Sequence, residues 1–321
     1  MKAIAALLLI PAALMLGKPA SAQTFPSQPI KIVIPFTAGG GVDNIIRHIS
    51  PALSAELGQP IVVENKPGGG AQIAVSVLQQ APANGHTLFA APGGPFALNP
   101  HLYQKLSYDP VNDFDAVSTF VTAPMVMFGH PTGRINSVES LRKALDGGEV
   151  KYSSPGQGTA VHLFGNLLGK AAPKAHFLHV AYRGAPPAIQ AVLSKEVDIM
   201  FDTVPTVINL VRNKQVVPIA IAAEARHPLF PNTPTLRELG LPQITMDFWV
   251  GVVAKKGTPD PIIRRLHAAF EKVMNDPKVF KHFSDGGYTR LSMPPERFDQ
   301  LIKSELEKYG PIVKDTGATI N

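Results

Sequence analysis

The sequence contains no cysteine. It therefore forms no disulfide, offers no thiol nucleophile and holds no cysteine-ligated metal, so its hydrophobic core alone must stabilise the fold. Charge is also sparse, because charged residues make up 17% of the chain and hydrophobic residues 45%. This composition is typical of a globular protein.

Several functional signatures are missing as well. No basic run is interleaved with aromatic residues, so the net charge of +6 does not indicate a nucleic-acid partner. The G-x-S-x-G, H-E-x-x-H and G-x-x-x-x-G-K-[ST] patterns are absent, which removes the nucleophile elbow, the zinc-protease site and the P-loop. We expect no catalytic residue, no metal and no cofactor.

The amino terminus has the pattern of a secretory signal peptide. Lys2 precedes an apolar run over residues 4–16, and Ala20-Ser21-Ala22 supplies a small-residue cleavage site. An uncleaved anchor is disfavoured because the apolar run falls short of the roughly 18 residues that span a bilayer, and no later run approaches that length. We expect residues 1–22 to be removed.

Strand and helix patterns alternate along the rest of the chain, which predicts an α/β fold built from right-handed βαβ units and parallel sheets. Pro51 should bend or interrupt the first helix. The predicted strands are residues 30–35, 61–63, 87–90, 150–153, 177–180, 199–201, 217–222 and 246–254. The predicted helices are residues 42–57, 71–80, 137–145, 160–168, 205–212, 260–275 and 295–316, with one more ending near residue 194.

These elements fall into two α/β series, each complete in itself. We expect the chain to build one lobe, cross near residue 124 to build a second, and return near residue 250. The first lobe would hold residues 23–124 and 250–321, with the last helices packed on it, and the second would hold residues 125–249. Folds of this kind bind ligands in the cleft between the lobes, at the carboxyl ends of the strands.

A strand, a glycine-rich loop and a helix follow one another twice. The first copy is IPFTAGGGVDNIIRHI at residues 34–49, and the second is KYSSPGQGTAVHLFGNLLG at residues 151–169. The first N–H groups of a helix lack partners within it, so each copy presents a site suited to a small anion. Alternatively, both loops merely turn a strand into a helix.

The loops do not match a dinucleotide motif. The third glycine of G-x-G-x-x-G is replaced by Asn44 in the first copy and by Val161 in the second. A carboxylate suits two or three backbone N–H groups better than a nucleotide does. Asp43, in the first turn of the first helix, is expected to stabilise the helix dipole and not to touch an anion.

The remaining polar candidates are ambiguous. His162 lies in the first turn of a helix, where a packed or capping histidine is the usual reading. His176 and His179 are three apart on a strand, so they point to opposite faces and do not form a metal pair. Asp202 ends an apolar strand and is either ligand-facing or a turn residue.

An ordered set of motifs resembles the Bug family, the periplasmic substrate-binding receptors of tripartite tricarboxylate transporters. Single pieces are weak signals, and the order of the whole set is the specific one. It comprises PIKIV at 29–33 with PF at 35–36, GG at 39–40 and Asp43, LGQPIVVENKPG at 57–68, NGHTL at 84–88, NPHLY at 99–103, YDP at 108–110, YSS at 152–154 before G-x-G-T at 156–159 and HL at 162–163, YRGAP at 182–186, FD at 201–202 and P-x-T-P-T at 231–235.

The resemblance implies a two-lobed periplasmic binding protein of type II that closes around its ligand. It implies that a ligand carboxylate sits between the two glycine loops, with selectivity at residues 91–94 and 182–184. The ligand-binding set is then Thr37, Ala38, Gly39, Gly40, Ala91, Gly93, Gly156, Gln157, Gly158, Thr159, Tyr182, Arg183 and Asp202.

By this resemblance the chain is a periplasmic, monomeric receptor that captures a small organic carboxylate and delivers it to the membrane permease subunits of a tripartite transporter. Two alternatives stay open: a receptor that feeds a signalling partner, and an exported enzyme that processes carboxylates. The small side chains of residues 91–95 suggest a bulky ligand, such as an aromatic monocarboxylate or dicarboxylate.

Overall fold

The computed structural model of the chain describes residues 25–156, 159–182, 184–241, 248–317 and 319–320. The strands are, in chain order, β1 Ile30–Ile34, β2 Ile61–Asn65, β3 Thr87–Pro92, β4 Phe114–Ala123, β5 Met125–Gly129, β6 Glu149–Ser154, β7 His176–Ala181, β8 Ile199–Thr203, β9 Val217–Ala222, β10 Phe248–Lys255 and β11 Thr289–Arg290. The helices are α1 Gly41–Leu57, α2 Gln72–Gln80, α3 Asn99–Leu102, α4 Val138–Leu145, α5 Ala160–Ala171, α6 Ala185–Leu193, α7 Val204–Arg212, α8 Asp260–Asn275, α9 Pro277–Asp285 and α10 Pro295–Thr316. In these ranges no helix combines the length and apolarity needed to cross a bilayer.

The first sheet is mixed. Its strand order is β11-β4-β10-β3-β1-β2. β1 pairs in parallel with β2 and β3, as the strand–helix–strand pattern predicts, whereas β10 runs antiparallel to β3 and β4. The prediction of a parallel sheet is therefore wrong for β10, which arrives from a distant part of the chain and not through a crossover helix.

The second sheet has the order β7-β6-β8-β5-β9. β6 is parallel to β7 and β8, while β5 is antiparallel to β8 and β9. In both sheets the parallel strands end at one edge, where the loops to α1, α5 and α7 emerge. The two glycine loops are thus equivalent in position within their own sheets.

Strand β1, which lies inside the first sheet, is covered by side chains on both faces. Ile32 of β1 belongs to a cluster with residues of α1 and α8, and its neighbour Val33 belongs to a cluster with residues of α2 and α10. Because successive side chains of a strand point to opposite faces, this one strand is anchored in two cores. The loop that follows β1 therefore starts from a rigid base.

Helix α1 is continuous. The interruption considered at Pro51 does not occur, because the helix runs from Gly41 to Leu57. Ile49 and Leu53, on either side of the proline, are fully buried, and their packing offsets the one backbone hydrogen bond that proline cannot donate. The helix ends where predicted, at Gly58, whose φ of 72° closes the last turn.

The two sheets are linked closely. β4 ends at Ala123 and β5 starts at Met125, so Pro124 alone separates a strand of one sheet from a strand of the other. Helix α10 contacts both cores, since Phe298 packs in a cluster of the first sheet and Tyr309 in a cluster of the second. The strands of the first sheet come from residues 30–123 and 248–290, and those of the second from residues 125–222.

Candidate functional site

The first glycine loop, residues 35–40, joins β1 to α1. Gly40 is the N-cap of the helix, and the first intrahelical bond runs from the Asn44 N–H to the Gly40 carbonyl, 2.9 Å. The amides of residues 41–43 thus have no acceptor within the helix. Thr37, Ala38 and Gly39 are exposed, which leaves this helix end accessible.

Asp43 holds this loop in shape. Its buried carboxylate accepts a hydrogen bond from the Gly39 N–H at 2.8 Å and one from Asn65 Nδ2 at 2.9 Å, and it forms an ion pair with Arg47 at 2.9 Å. Burial raises the pKa of Asp43, but the hydrogen bonds from Arg47, Gly39 and Asn65 outweigh it and hold the pKa below its usual value. Asp43 does more than stabilise the helix dipole, because it fixes the conformation of Gly39, whose φ is +81°.

The second glycine loop joins β6 to α5. Thr159 caps the helix by accepting the His162 N–H at 3.4 Å, and its hydroxyl donates to the Gly156 carbonyl at 2.7 Å. Ser154 Oγ accepts the Gly156 N–H at 3.2 Å. The predicted ligands Gln157 and Gly158 lie outside the described residues.

Two stacked histidines, His162 and His179, pack beside this second loop and contact it through Ser154. Ser154 Oγ lies 2.6 Å from His179 Nε2, and the His179 ring stacks on His162 with a centroid distance of 4.1 Å. Burial lowers the pKa of both imidazoles, and the proximity of His162 adds to the effect on His179, whose pKa falls to about 4. Both rings are therefore uncharged at neutral pH, and His162 is a packed residue. His176, by contrast, is exposed on the opposite face of β7, as the strand spacing predicts.

Asp202 ends β8 at the start of α7. Its Oδ1 accepts the Thr203 N–H at 2.6 Å, and the residue is partly exposed. Burial raises its pKa to about 6, although the backbone of Thr203 and the hydroxyls of Thr203 and Thr206 act in the opposite direction. A carboxylate that titrates this close to neutrality is typical of a functional site.

The turn between α9 and β11 contacts the hydrophobic clusters of both sheets. A Cβ on Gly287, whose φ is +89°, would lie 2.6 Å from Val204 Cγ1 at the start of α7. The hydroxyl of the next residue, Tyr288, lies 3.9 Å from where a Cβ on Gly41 would stand. Residues 287–288 thus join the Asp202 loop to the first glycine loop. Sequence reasoning missed both residues, since a Gly-Gly pair after a helix signals only a turn.

Tyr182 is attached to the second loop by its backbone. Its N–H donates to the Ser154 carbonyl at 3.0 Å, but its ring packs against a core cluster of the second sheet. Its hydroxyl is buried with no hydrogen bond to a described residue, and burial together with nearby Glu196 raises its pKa to about 12. The Tyr182 side chain is therefore partly buried, with its ring against the core and its hydroxyl away from solvent. Arg183 lies outside the described residues.

Packing explains why the side chains of residues 91–95 are small. The Ala91 side chain is fully buried in a core cluster of the first sheet. A Cβ on Gly93 would stand 3.0 Å from the Trp249 ring, whereas one on Gly94 would meet nothing within 4 Å. Trp249 occupies the space that a larger residue 93 would need, so the small residues here do not require a bulky ligand.

Two cavities in the described part of the chain lie elsewhere. One of about 420 Å³ is at the amino ends of β1 and β3, lined by Phe25, Ser27, Gln28, Asn84, His86 and Ile262. Another of about 390 Å³ is near the end of α10, lined by His101, Gly310, Val313, Lys314, Gly317 and Thr319. Neither contains a residue of the predicted binding set. The described residues also form no group of three or more histidines and carboxylates suited to a metal.

The chain is similar to proteins of a known receptor family. The family model for the tripartite tricarboxylate transporter family receptor matches residues 45–318. A UPF0065 protein from the tcbD-tcbE intergenic region of Pseudomonas sp. (strain P51) is 34% identical over 294 residues, which cover 91% of this chain and 87% of that protein.

Two solved structures share the fold. The periplasmic binding protein BugD is 28% identical, with a TM-score of 0.80 over 92% of this chain and 99% of its own. MatC from Rhodopseudomonas palustris, solved with bound malate, is 29% identical, with a TM-score of 0.75 over 90% of this chain and 100% of its own. These likenesses confirm the predicted two-lobed α/β binding-protein fold.

Proposed function

Because this chain belongs to the tripartite tricarboxylate transporter receptor family, with BugD among its structural relatives, we propose that it is a periplasmic solute-binding protein. It captures a small organic carboxylate between two lobes and delivers it to the permease subunits of a tripartite transporter. The single observation that carries the proposal is the repeated strand–glycine loop–helix unit, at β1–α1 and at β6–α5. MatC, a relative of the same fold, was solved with the carboxylate malate.

The geometry at the amino ends of α1 and α5 suits a carboxylate. Helices α1 and α5 are 17 and 12 residues long, so each has a full dipole whose positive end lies at its glycine loop. Backbone N–H groups there can bind carboxylate oxygens without a buried lysine or arginine. The binding set predicted from the sequence, from Thr37 to Asp202, stays our proposal.

Both loops are also held rigid before any ligand arrives. Asp43 fixes Gly39 through a 2.8 Å hydrogen bond, and Ser154 fixes Gly156 through one of 3.2 Å. A preorganised backbone loses little conformational freedom on binding, which favours affinity. The loops therefore act as two prepared halves of one anion site.

We propose that the two lobes follow the division expected from the sequence, residues 23–124 with 250–321 and residues 125–249. A short crossing at Pro124 provides a hinge, and closure brings the loops together around the ligand. The permease would then recognise the closed form, which the ligand stabilises. Export is expected to remove residues 1–22.

The test is calorimetric titration with a panel of carboxylates, including malate, succinate, citrate and benzoate, after native mass spectrometry of the exported protein. We expect at least one carboxylate to bind. Binding of none would refute the proposal. Loss of uptake of the bound carboxylate in a deletion strain would test delivery, and intact uptake together with lost signalling would favour a signalling receptor.

A matched pair of variants tests the first loop. Gly39 and Gly257 have φ values of +81° and +85°, and a Cβ on either would meet nothing within 4 Å. Each donates its N–H to an aspartate at 2.8 Å, Asp43 and Asp115 respectively. Gly39→Ala and Gly257→Ala should therefore lose similar stability, about 1 kcal/mol each, but only Gly39→Ala should weaken carboxylate binding. Equal affinities in the two variants would argue that the first loop is only a turn.

A further inference from the structure

Tyr288 stands at the junction of the predicted cleft, and nothing in the sequence pointed to it. Its ring packs against the core cluster of α1 and α8 and meets Phe283 edge-on, with ring centroids 6.1 Å apart. The preceding Gly287 is pressed against Val204. The ring is thus held by one lobe and its backbone by the start of α7 in the other.

The hydroxyl of Tyr288 lacks a hydrogen-bond partner among the described residues. The residue is partly exposed, so this hydroxyl is available to donate a hydrogen bond to a ligand. Here the hydroxyl is aimed at the first residue of α1, Gly41, 3.9 Å from the position of a Cβ there. The unpaired amides of residues 41–43 begin at the same point.

Asp202 is also near this hydroxyl, close enough for its charge to act on the phenol. Its loop leads directly into Val204, which Gly287 contacts, and its negative charge acts with burial to raise the pKa of Tyr288 to about 12. The hydroxyl therefore stays protonated, and it lies near both a helix amino end, which attracts carboxylates, and a carboxylate, which repels them. A ligand in this place needs an acceptor toward α1 and a donor toward Asp202.

We propose that Tyr288 is a ligand-binding residue that sets specificity together with Asp202. Its hydroxyl donates to the carboxylate held at the amino end of α1, and Asp202 accepts a hydrogen bond from a hydroxyl or ammonium group next to that carboxylate. The ligand is accordingly a 2-hydroxy or 2-amino carboxylate. This inference rests on the proposed function, because it assigns a further contact and a ligand class to the same site.

The experiment uses three matched sets of ligands, titrated calorimetrically into the exported protein. The sets are malate, succinate and aspartate; lactate, propionate and alanine; and mandelate, phenylacetate and phenylglycine. Within each set the members differ only by hydroxyl, hydrogen or ammonium at the second carbon. In whichever set binds, we expect the hydroxy or amino member to bind at least tenfold tighter than the unsubstituted one.

Variants then assign the effect to residues. Tyr288→Phe should weaken the bound member about tenfold, and Asp202→Ala should bring the substituted and unsubstituted members to similar affinity. Tyr103→Phe is the matched control, because Tyr103 is also partly buried, and its hydroxyl also abuts a glycine, Gly70, outside the predicted site. Its affinity should equal that of the wild type, and circular dichroism should confirm that all three variants fold.

Each of the remaining outcomes would overturn this inference, and one of them would also overturn the proposed function. Wild-type affinity in Tyr288→Phe, or a preference for the unsubstituted member, would overturn the inference and leave the proposed function intact. Binding of an unsubstituted carboxylate such as adipate, with no member of the three sets bound, would also overturn it. Failure of every carboxylate to bind would refute the proposed function and this inference together.

Discussion

The main-chain N–H of Gly39 and the carboxylate of Asp43 are joined by a hydrogen bond of 2.8 Å. The carboxylate is almost completely buried, and it binds Arg47 and Asn65 as well. One side chain therefore connects the glycine loop, the first turn of α1 and the end of β2. The shape of the loop therefore depends on this residue as well as on Gly39, whose φ of +81° favours glycine.

Removal of the Asp43 carboxylate should destabilise the protein. Asp43→Ala leaves the Gly39 N–H without its acceptor and removes one of the two acceptors of the Asn65 amide, which also donates to the Phe36 carbonyl, at a cost of about 2 kcal/mol. Unfolding in urea, followed by the fluorescence of Trp249, the single tryptophan, measures the loss. Asp260→Ala is the control, since Asp260 also pairs with an arginine four residues on, Arg264, but is exposed. Asp260→Ala should lower the free energy of unfolding by no more than about 0.5 kcal/mol. Equal losses in the two variants would contradict the role of Asp43 in fixing the loop.

Adjacent glycines should respond differently to alanine. Gly93→Ala places a methyl group 3.0 Å from the buried Trp249 ring, which is hydrogen-bonded to Glu305 at 2.8 Å and cannot move freely. We expect a loss of about 1–3 kcal/mol from overpacking. Gly94→Ala meets open space and should be close to neutral. The two stabilities can be compared by urea unfolding, and a neutral Gly93→Ala would restore the idea that residue 93 borders a roomy ligand pocket.

Asp202 should destabilise the protein at neutral pH. Burial raises its pKa from the usual 3.8 to about 6 in the folded protein, so folding disfavours the charged form and the cost is fully present above pH 6. Asp202→Asn, which carries no charge, should therefore be more stable than the wild type by about 3 kcal/mol at pH 7.5, and by only about 1 kcal/mol at pH 4.5. Urea unfolding at the two pH values gives the difference. A variant less stable than the wild type at pH 7.5 would show that the Asp202 charge is satisfied in the fold.

His179 should have the opposite pH dependence. Burial and the neighbouring His162 lower its pKa from the usual 6.5 to about 4 in the folded protein, so the stability linked to its neutral form is complete above pH 6.5 and is lost as the pH falls toward 4. Between pH 7.5 and 4.5 the wild type should lose about 2.5 kcal/mol through this residue. His179→Gln keeps a polar group near Ser154 but does not titrate, so its stability should fall by that much less. Parallel pH profiles of the two proteins would rule out this assignment.

Local patterns predicted many of the elements. The runs before and after Gly39 and Gly156 have strand and helix periodicity, and β1, α1, β6 and α5 lie close to their predicted positions. β4, β5 and α9 were not predicted. β4 is buried along nearly its whole length and lacks the alternation of a half-exposed strand, and α9 is nine residues long, with only Phe283 fully buried.

The candidate site was predictable only in part. The glycine pattern indicates the loop, and the resemblance to the Bug family assigns Thr37, Ala38 and Gly39 within it to the predicted binding set. Tyr288 does not, because it meets Gly41 only after the chain has folded across more than two hundred residues, and no local signal carries that contact. Tertiary packing likewise decides that the Tyr182 ring lies against the core with its hydroxyl buried.

The sequence by itself determined the alternating α/β elements, the repeated glycine loops and the family, because periodicity, glycine placement and motif order are properties of neighbouring residues. Only the tertiary structure decided that β10 and β5 run antiparallel, that Trp249 fills the space beside Gly93, and that the Tyr288 hydroxyl lies close to Gly41 at the start of α1. These outcomes depend on packing and desolvation between segments far apart in the chain, and such energies have no local pattern.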